Sequence, residues 1–187
     1  MRYPAHETAE RHQKILEEAA RLFRGKGFAG ASIGDVMKAS GLTHGGFYAH
    51  FDSKDALACA SLEHALEQKL EEIRRRSSSG DDARAQVLSG YLSTSHRDHP
   101  EAGCAMAALA VDVAREPALQ ASFTAGLKSM VATLAKNLPW KRARPKQQQA
   151  LCFTAAMVGA MVLARAVDDA DFSDAILSSV REELLAR

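Results

Sequence analysis

The stretch from Gly41 to Lys54 constrains the fold of this chain more than any other part of the sequence. It follows a short amphipathic segment, residues 32–40, and the two together predict a helix, a tight turn and a second helix. Gly41 provides the backbone freedom that ends the first helix. The second helix, about Thr43 to His50, is too short to be stable alone in water, so tertiary packing must hold it.

Both of these helices begin with residues that can cap them. Ser32 is a good N-cap, and Asp35 stands three residues later in the capping-box position. The N–H groups at this helix start could also receive a DNA phosphate. The hydroxyl of Thr43 could cap the second helix in the same way.

The outward face of the second helix is expected to carry small and polar groups, while Leu42 and Phe47 face inward. These outward residues are Thr43, His44, Gly45, Gly46, Tyr48 and His50. A short helix with small residues at its N-terminal end and polar groups on one side suits the major groove of DNA.

The order of residues here resembles the DNA-binding domain of the TetR/AcrR family of transcriptional repressors. The similarity rests on GFAGASI at residues 27–33, Gly41 in the turn, FYAHF at residues 47–51, and the Ser-Lys pair at residues 53–54. The close match covers about the first third of the chain. It implies an all-α protein with a helix-turn-helix DNA-binding domain at residues 1–54 and a helical ligand-binding and dimerisation domain at residues 55–187.

The resemblance also implies which residues contact DNA. Lys54 is expected to contact a phosphate beside the start of the next helix, and the hydroxyls of Thr43 and Tyr48 to do likewise. The alternative for Tyr48 is a half-buried packing aromatic. His50 is expected to contact phosphate or cap the helix rather than read a base.

His44, Gly45 and Gly46 stand where the family reads bases. Because a glycine pair has no side chain to read with, it would instead permit close approach of the backbone. Base discrimination would then rest largely on His44, and part of the specificity would come from DNA shape.

The charge balance excludes a polycation, since the 187 residues carry a formal net charge of +1. Residues 1–54 hold eight Lys or Arg against six Asp or Glu, so the placement of charge must matter more than its total. A hydrophobic fraction of 47% with only 6% aromatics favours an all-helical soluble protein. At the N-terminus, Arg2 and Tyr3 could reach DNA, although a frayed end is the favoured interpretation.

The three cysteines, Cys59, Cys104 and Cys152, are far apart and include no CxxC pair, which fits a reducing cytoplasm rather than a disulfide scaffold or zinc site. The N-terminus lacks a secretory h-region, and the longest apolar run, residues 154–163, is too short for a membrane span. We therefore expect a cytoplasmic protein. Paired carboxylates, a nucleophile elbow and a phosphate-binding loop are missing from the sequence, so no enzyme, catalytic residue, metal or cofactor is expected.

We call residues 1–54 the head and residues 55–187 the body. A long helix capped by Ser53 is predicted to run to about Arg75 and to join the head to the body. The middle helices are expected to enclose a largely apolar cavity for a small apolar or amphipathic effector, although its lining residues could equally be plain core. The candidates are Tyr91, Cys104, Met106, Leu109, Val113, Phe123, Leu127 and Met130. Cys104 follows Gly103, and two interpretations stay open: a thiol that senses oxidants or electrophiles, as in some family members, or a small buried hydrophobe.

The helix from Lys146 onward is apolar on nearly all sides, so it is either central or paired with another subunit. The resemblance implies that the last two helices of each subunit form a four-helix dimer interface. Its candidate residues are Phe153, Ala156, Met157, Gly159, Ala160, Leu163, Ile176 and Val180.

Two further clusters have ordinary explanations. His96, Asp98, His99 and Glu101 lack further ligands for a metal site and are expected to form a polar helix end. The basic run at residues 141–146 is expected to be a solvated loop rather than a second nucleic-acid patch.

The sequence thus predicts a homodimeric, ligand-responsive repressor that binds a palindromic operator and releases it when effector binds. The alternatives are a non-specific architectural DNA-binding protein and a helical small-molecule-binding protein. The operator, the effector and the regulated genes are not encoded in any recognisable pattern.

Overall fold

The computed structural model describes residues 5–78 and 82–186, and this part of the chain is helical, with no strand. The α-helices are α1 (Ala5–Gly30), α2 (Ile33–Ala39), α3 (Lys54–Ser77), α4 (Ala83–Tyr91), α5 (Thr94–Asp98), α6 (Ala105–Val113), α7 (Pro117–Asn137), α8 (Lys146–Ala166) and α9 (Ala170–Ala186). A 3-10 helix, His44–Ala49, lies between α2 and α3, and another, Pro100–Ala102, precedes α6. The predicted all-α fold is confirmed. Arg2 and Tyr3, and residues 79–81 of the predicted turn, lie outside the described residues.

The first helix changes direction at Gly27, within the Gly25-Lys26-Gly27 segment that predicts the end of this helix from sequence. Gly27 has φ 73° and ψ 168°, a conformation that favours glycine. Beyond this kink Phe28 folds back, with its ring 5.2 Å from that of Phe23. A Cβ atom at Gly27 would lie 2.8 Å from Oδ2 of Asp112 in α6, so this glycine also permits close contact between head and body.

The head is built around aromatic and aliphatic side chains from all of its helices. The buried set comprises Ile15, Phe23, Val36, Met37, Phe47 and Phe51. These residues belong to the same hydrophobic cluster as the body core, because α3 packs against both α1 and α7. The division between residues 54 and 55 therefore stays a prediction rather than a visible break in packing.

The body is layered on α3, the helix that the sequence predicted as the connection. Ser53 caps it by accepting a hydrogen bond from the N–H of Ala56 at 3.0 Å, as expected. Gly126 of α7 faces Leu66 of α3, and a Cβ atom there would lie 2.6 Å from Cδ1 of Leu66. This close approach joins α3 to α7, so a shift of α7 would displace α3.

One prediction about the middle of the chain is wrong. The apolar residues Val87, Leu88, Tyr91 and Leu92 predict one helix that ends near residues 96–100, but the observed helix ends at Tyr91. Leu92 has φ −92° and ψ 59°, outside the helical region, and Ser93 then caps α5 by accepting a hydrogen bond from the N–H of His96. The interruption turns His96 toward the core.

The sequence pattern predicts no segment long and apolar enough to span a membrane, but helix α8 meets both criteria. By length and composition alone it could cross a bilayer, with a mean hydropathy of 1.5. Within this structure, however, Phe153, Met157 and Met161 of α8 are buried against the rest of the chain. Its composition is therefore also that of a core helix.

Candidate nucleic-acid interface

The start of α2 is closed by its own side chains. The Oγ atom of Ser32 accepts a hydrogen bond from the N–H of Asp35 at 3.1 Å. The carboxylate of Asp35 accepts from the N–H of Ser32 at 2.9 Å and from its hydroxyl at 2.7 Å, and these bonds lower the pKa of Asp35. The predicted capping box is confirmed. A phosphate bound by Ser32 would have to displace this carboxylate, so that contact stays a prediction.

The turn after α2 depends on the backbone of Gly41, which has φ 73°. Its N–H donates to the carbonyl of Lys38 at 3.1 Å, and the next N–H, of Leu42, donates to Met37 at 2.8 Å. These bonds satisfy the last carbonyls of α2, in the manner of a glycine-terminated helix. The predicted role of Gly41 is confirmed, and the turn fixes the direction in which the following helix leaves.

The recognition helix, which we define as His44–Ala49, is a 3-10 helix rather than an α-helix. Its bonds include those from Gly46 N–H to Thr43 O at 3.0 Å and from His50 N–H to Phe47 O at 2.9 Å. The expectation that the Thr43 side chain caps this helix is wrong, since no side-chain cap bond forms. Two glycines in six residues give little intrinsic helicity, so the buried Phe47 holds the segment in place.

The residues predicted to face DNA do lie on the accessible side of the recognition helix. Thr43, His44 and Gly45 are exposed, whereas Gly46 and His50 are half-buried. A Cβ atom on Gly45 would meet nothing within 4 Å. Neither packing nor a positive φ therefore requires glycine at position 45, which leaves its bare backbone open to an incoming surface.

Tyr48 is 66% exposed and lies edge-on against Phe47, with ring centroids 5.1 Å apart. This exposure argues against the alternative of a half-buried packing aromatic. The ring packs against Phe47 while most of the side chain is accessible, as a phosphate contact would need.

Beside the recognition helix, two histidines and a phenylalanine form an aromatic group that the sequence pattern did not reveal. His12 of α1 stacks on Phe51 with centroids 4.7 Å apart, and its ring lies 5.9 Å from that of His50. Burial, and then the nearby His12 and Arg11, lower the pKa of His50.

Lys54 makes a contact within the head that its proposed phosphate role did not suggest. Its Nζ atom donates to the carbonyl of Phe28 at 2.7 Å and so ties the start of α3 to the end of α1. The ammonium group retains two further donors for a phosphate. The two residues are 26 positions apart, and nothing in the local pattern pairs them.

Comparisons with known proteins agree with this geometry. The sequence profile for bacterial regulatory proteins of the tetR family matches residues 15–60, which include α2, the recognition helix and the start of α3. This part of the chain resembles regulators of the tetR family. The match excludes most of the body, so the family resemblance is carried by the head together with the overall fold.

Two curated relatives resemble the N-terminal part of this chain. The uncharacterized HTH-type transcriptional regulator YvdT of Bacillus subtilis is 39% identical over 70 residues, which are 37% of this chain and 36% of YvdT. The HTH-type transcriptional repressor KstR2 of Rhodococcus jostii is 32% identical over 96 residues, 50% of this chain and 47% of KstR2. The chain thus matches less than half the length of either relative. Both relatives are named as HTH-type transcriptional regulators.

The similarity in fold extends over nearly the whole chain. The crystal structure of a TetR transcriptional regulator from Chloroflexus aurantiacus superposes with a TM-score of 0.78 and 26% identity, covering 96% of each chain. The body therefore shares the family architecture even where the curated relatives do not align.

The residues predicted to line an effector cavity do lie together in the body. Tyr91, Cys104, Met106, Leu109, Val113 and Met130 are buried, and Phe123 and Leu127 are half-buried. All of them belong to one hydrophobic cluster, so in this structure they serve as core. Their role in binding an effector stays a prediction.

His96 is buried and forms the main polar contacts of this core. The sequence pattern predicts instead that His96 belongs to a polar helix end. Its Nε2 atom accepts from the N–H of Cys104 at 2.9 Å, and its Nδ1 atom is 2.6 Å from the carbonyl of Tyr91. Burial lowers the pKa of His96 from 6.5 to about 4. A Cβ atom on Gly103 would lie 2.6 Å from the imidazole, so the glycine before Cys104 is needed for this packing.

Two arginines connect this core to the head and to α8. Nε of Arg24 in α1 donates to the carbonyl of Glu101 at 2.9 Å. Nη2 of Arg165 in α8 donates to the carbonyl of His96 at 2.5 Å, and its Nε donates to that of Arg97 at 3.1 Å. The segment from His96 to Glu101 is therefore held from both sides.

The predicted dimer residues divide into two groups. Phe153, Met157 and Ala160 are buried in the chain's own core, so their assignment to a dimer surface is corrected. These three residues lie on the side of α8 that packs against the rest of the chain. Ala156, Gly159, Ile176 and Val180 are half-buried and Leu163 is 57% exposed.

The exposed apolar surface of the last two helices is what we call the α8–α9 face. It comprises Leu151, Ala155, Gly159 and Leu163 of α8 with Phe172, Ile176 and Val180 of α9. Leu151, Leu163 and Phe172 are each more than half exposed. Large apolar side chains at such spacing mark an interaction surface.

Proposed function

We propose that this chain is a cytoplasmic transcriptional regulator of the TetR family, which binds an operator in double-stranded DNA as a homodimer. The observation that carries the proposal is the recognition helix, which is anchored by Phe47 and presents His44, Gly45 and Tyr48 outward. His44 would read a base edge, and Tyr48 and Lys54 would contact phosphates. The bare backbone at Gly45 would allow the helix to enter the major groove closely.

The proposed homodimer uses the α8–α9 face. Two copies related by a twofold axis would bury the same apolar stripe on each subunit and would carry two recognition helices. A palindromic operator then follows from the symmetry, with half-sites about one helical turn apart.

The proposed effector is a small apolar or amphipathic molecule bound among the middle helices. Within the described part of the chain, the buried Nη1 of Arg165 has no hydrogen-bond partner, and the buried Oη of Tyr91 has a hydrogen-bonding contact only with the side chain of Cys104. A ligand with a polar group beside an apolar body would satisfy such atoms, since unpaired buried groups are costly.

Effector binding would reach the DNA through α1 and α3. The core segment around His96 is tied to α1 by the bond from Arg24 to Glu101. Helix α3 walls the same core and begins at Lys54, beside the recognition helix. An effector that separates α7 from α3 would alter the spacing of the two heads and favour the dimer that does not fit the operator, which is derepression by population shift.

Selection of bound fragments from a random duplex pool, at near-physiological salt, tests the proposal. Enrichment of a palindrome supports a dimeric operator-binding regulator. If nothing is enriched and binding vanishes as salt rises, the chain is better described as an architectural DNA-binding protein. If no DNA is bound at any salt concentration, a helical small-molecule-binding protein is the better description.

A further inference from the structure

A pocket of about 390 Å³ opens at the end of the body formed by α4, the α7–α8 loop, the start of α8 and the end of α9. It is separate from the residues predicted to line the effector cavity. The residues that matter for its chemistry are Arg84, Trp140, Lys141, Arg144, Gln149 and Phe153. Its volume is within the range that holds small organic ligands.

The inner wall of the pocket is a cation resting on aromatic rings. The guanidinium of Arg84 lies 4.8 Å from the ring centroid of Trp140 and 5.5 Å from that of Phe153. It donates to the carbonyl of Leu184 at 3.1 Å and to the carbonyl of Pro139. Its residue is only 9% exposed, and no ion pair with a carboxylate forms within the described ranges.

Two more cations stand at the mouth. Lys141 and Arg144 are exposed and, like Arg84, form no ion pair with any described carboxylate. The amide nitrogen of Gln149 donates to the carbonyls of both residues at 2.9 Å, which folds the loop around the pocket. The basic run at residues 141–146 is therefore fixed in position by hydrogen bonds from Gln149.

The pocket combines three cations and an aromatic wall, and none of its lining residues in the described ranges is acidic. Burying an arginine without a counter-ion is unfavourable, and a bound anion would offset part of that cost. An inorganic anion would leave the accessible part of the Trp140 ring without a ligand contact. The chemistry favours a ligand with one anionic group and an apolar body.

We propose that this pocket is a second small-molecule site, which binds an amphipathic carboxylate. The carboxylate lies between Lys141 and Arg144, and the apolar body rests against the half-buried Trp140. Arg84 packs against the rings of Trp140 and Phe153 and adds positive potential on the inner side of the pocket. The site is independent of DNA binding and of the effector cavity in the middle of the body.

Trp140 makes the proposal testable, because it is the single tryptophan of the chain. We would titrate the full-length protein with 4-phenylbutanoate and, as a neutral isostere, with 4-phenylbutanamide, and follow tryptophan fluorescence. The expected result is a saturable change with the carboxylate that weakens as salt rises. A response of equal affinity to the amide, or no saturable response, would overturn the proposal.

Charge-neutralising variants locate the binding. Arg144→Gln and Lys141→Gln should each weaken 4-phenylbutanoate binding about fivefold, as expected for partly exposed ion pairs. Arg142→Gln is the matched control, since Arg142 is exposed in the same loop but does not line the pocket. Circular dichroism would check that the variants fold. Equal losses in all three variants, or none in the first two, would place the binding elsewhere and contradict the assignment.

Discussion

The imidazole of His96 accepts a hydrogen bond from the backbone N–H of Cys104 at 2.9 Å. Because Nε2 is the acceptor, the proton of the neutral ring is on Nδ1, where it is donated to the carbonyl of Tyr91. A protonated ring would place an N–H against the N–H of Cys104. The fold thus selects a neutral histidine at the junction between α5 and α6.

This neutral histidine makes stability depend on pH. The unfolded chain takes up a proton at His96 as pH falls through about 6.5, whereas the folded chain does so only near pH 4. The contribution of His96 is therefore constant above about pH 6.5 and is lost as pH falls toward 4, by a total of about 3 kcal/mol. Urea unfolding of the wild type at a series of pH values should show the decline.

The variant His96→Gln keeps an acceptor for the N–H of Cys104 but cannot titrate, so its unfolding free energy should fall less over the same pH range. His99→Gln is the control, because His99 is exposed and pairs only with Glu101. Parallel pH profiles for wild type and His96→Gln would contradict the neutral-ring assignment.

The bond from Lys54 to the carbonyl of Phe28 predicts that Lys54 serves folding as well as DNA binding. Lys54→Met keeps most of the stem and removes the ammonium, so it should lower the free energy of unfolding by about 2 kcal/mol. It should also weaken binding to all DNA sequences alike and reduce the dependence of binding on salt.

Lys38→Met is a suitable control for this variant, because Lys38 is an exposed lysine of α2. It should leave the unfolding free energy nearly unchanged. If Lys54→Met unfolded at the same urea concentration as the wild type, the contact with Phe28 would have no stabilising role.

Sequence reasoning succeeded where the determining pattern is local. The Ser32–Asp35 capping box, the Gly41 turn and the Ser53 cap were each predicted from a few neighbouring residues, and each is present. The inward direction of Phe47 followed from the same short stretch. These features place the recognition helix, so most of the candidate DNA site could be derived from sequence.

It failed where the contact joins distant segments or depends on helical phase. The partner of Lys54 is 26 residues away, and the bonds of His96 depend on a break in the helix at Leu92. In α8, apolar residues surround the axis, so sequence alone could not tell the buried Phe153 from the exposed Leu151. Only packing against α7 and α9 decides which side of α8 is free.

His44 and Tyr48 should have different effects on DNA recognition. His44→Ala should change the preferred base at one position of each half-site, with a loss of about 1–3 kcal/mol in discrimination. Tyr48→Phe should lower affinity for all sequences by about 1 kcal/mol, because it removes a phosphate contact only. Competition binding with the selected operator and its single-base variants measures both effects. An unchanged base preference in His44→Ala would mean that another group reads the base.

The α8–α9 face makes a prediction about assembly that does not involve DNA. Leu163 is 57% exposed at the centre of this face, beside Gly159, where a Cβ atom would meet nothing within 4 Å of the same chain. In a dimer, Leu163→Arg would bury an unpaired charge, so the dimer dissociation constant should rise about a hundredfold, equivalent to ~3 kcal/mol. Sedimentation equilibrium measures this constant.

Leu185→Arg is the matched control for Leu163→Arg, since Leu185 is also a large exposed apolar residue, 45% exposed, but lies outside the α8–α9 face. It should leave the dimer constant unchanged, because its side chain would stay in water in both states. Equal weakening by the two variants would show that subunits do not associate through the α8–α9 face. Selective weakening by Leu163→Arg, together with loss of binding to a palindromic site, would tie the assembly to operator recognition, since each half-site needs its own recognition helix.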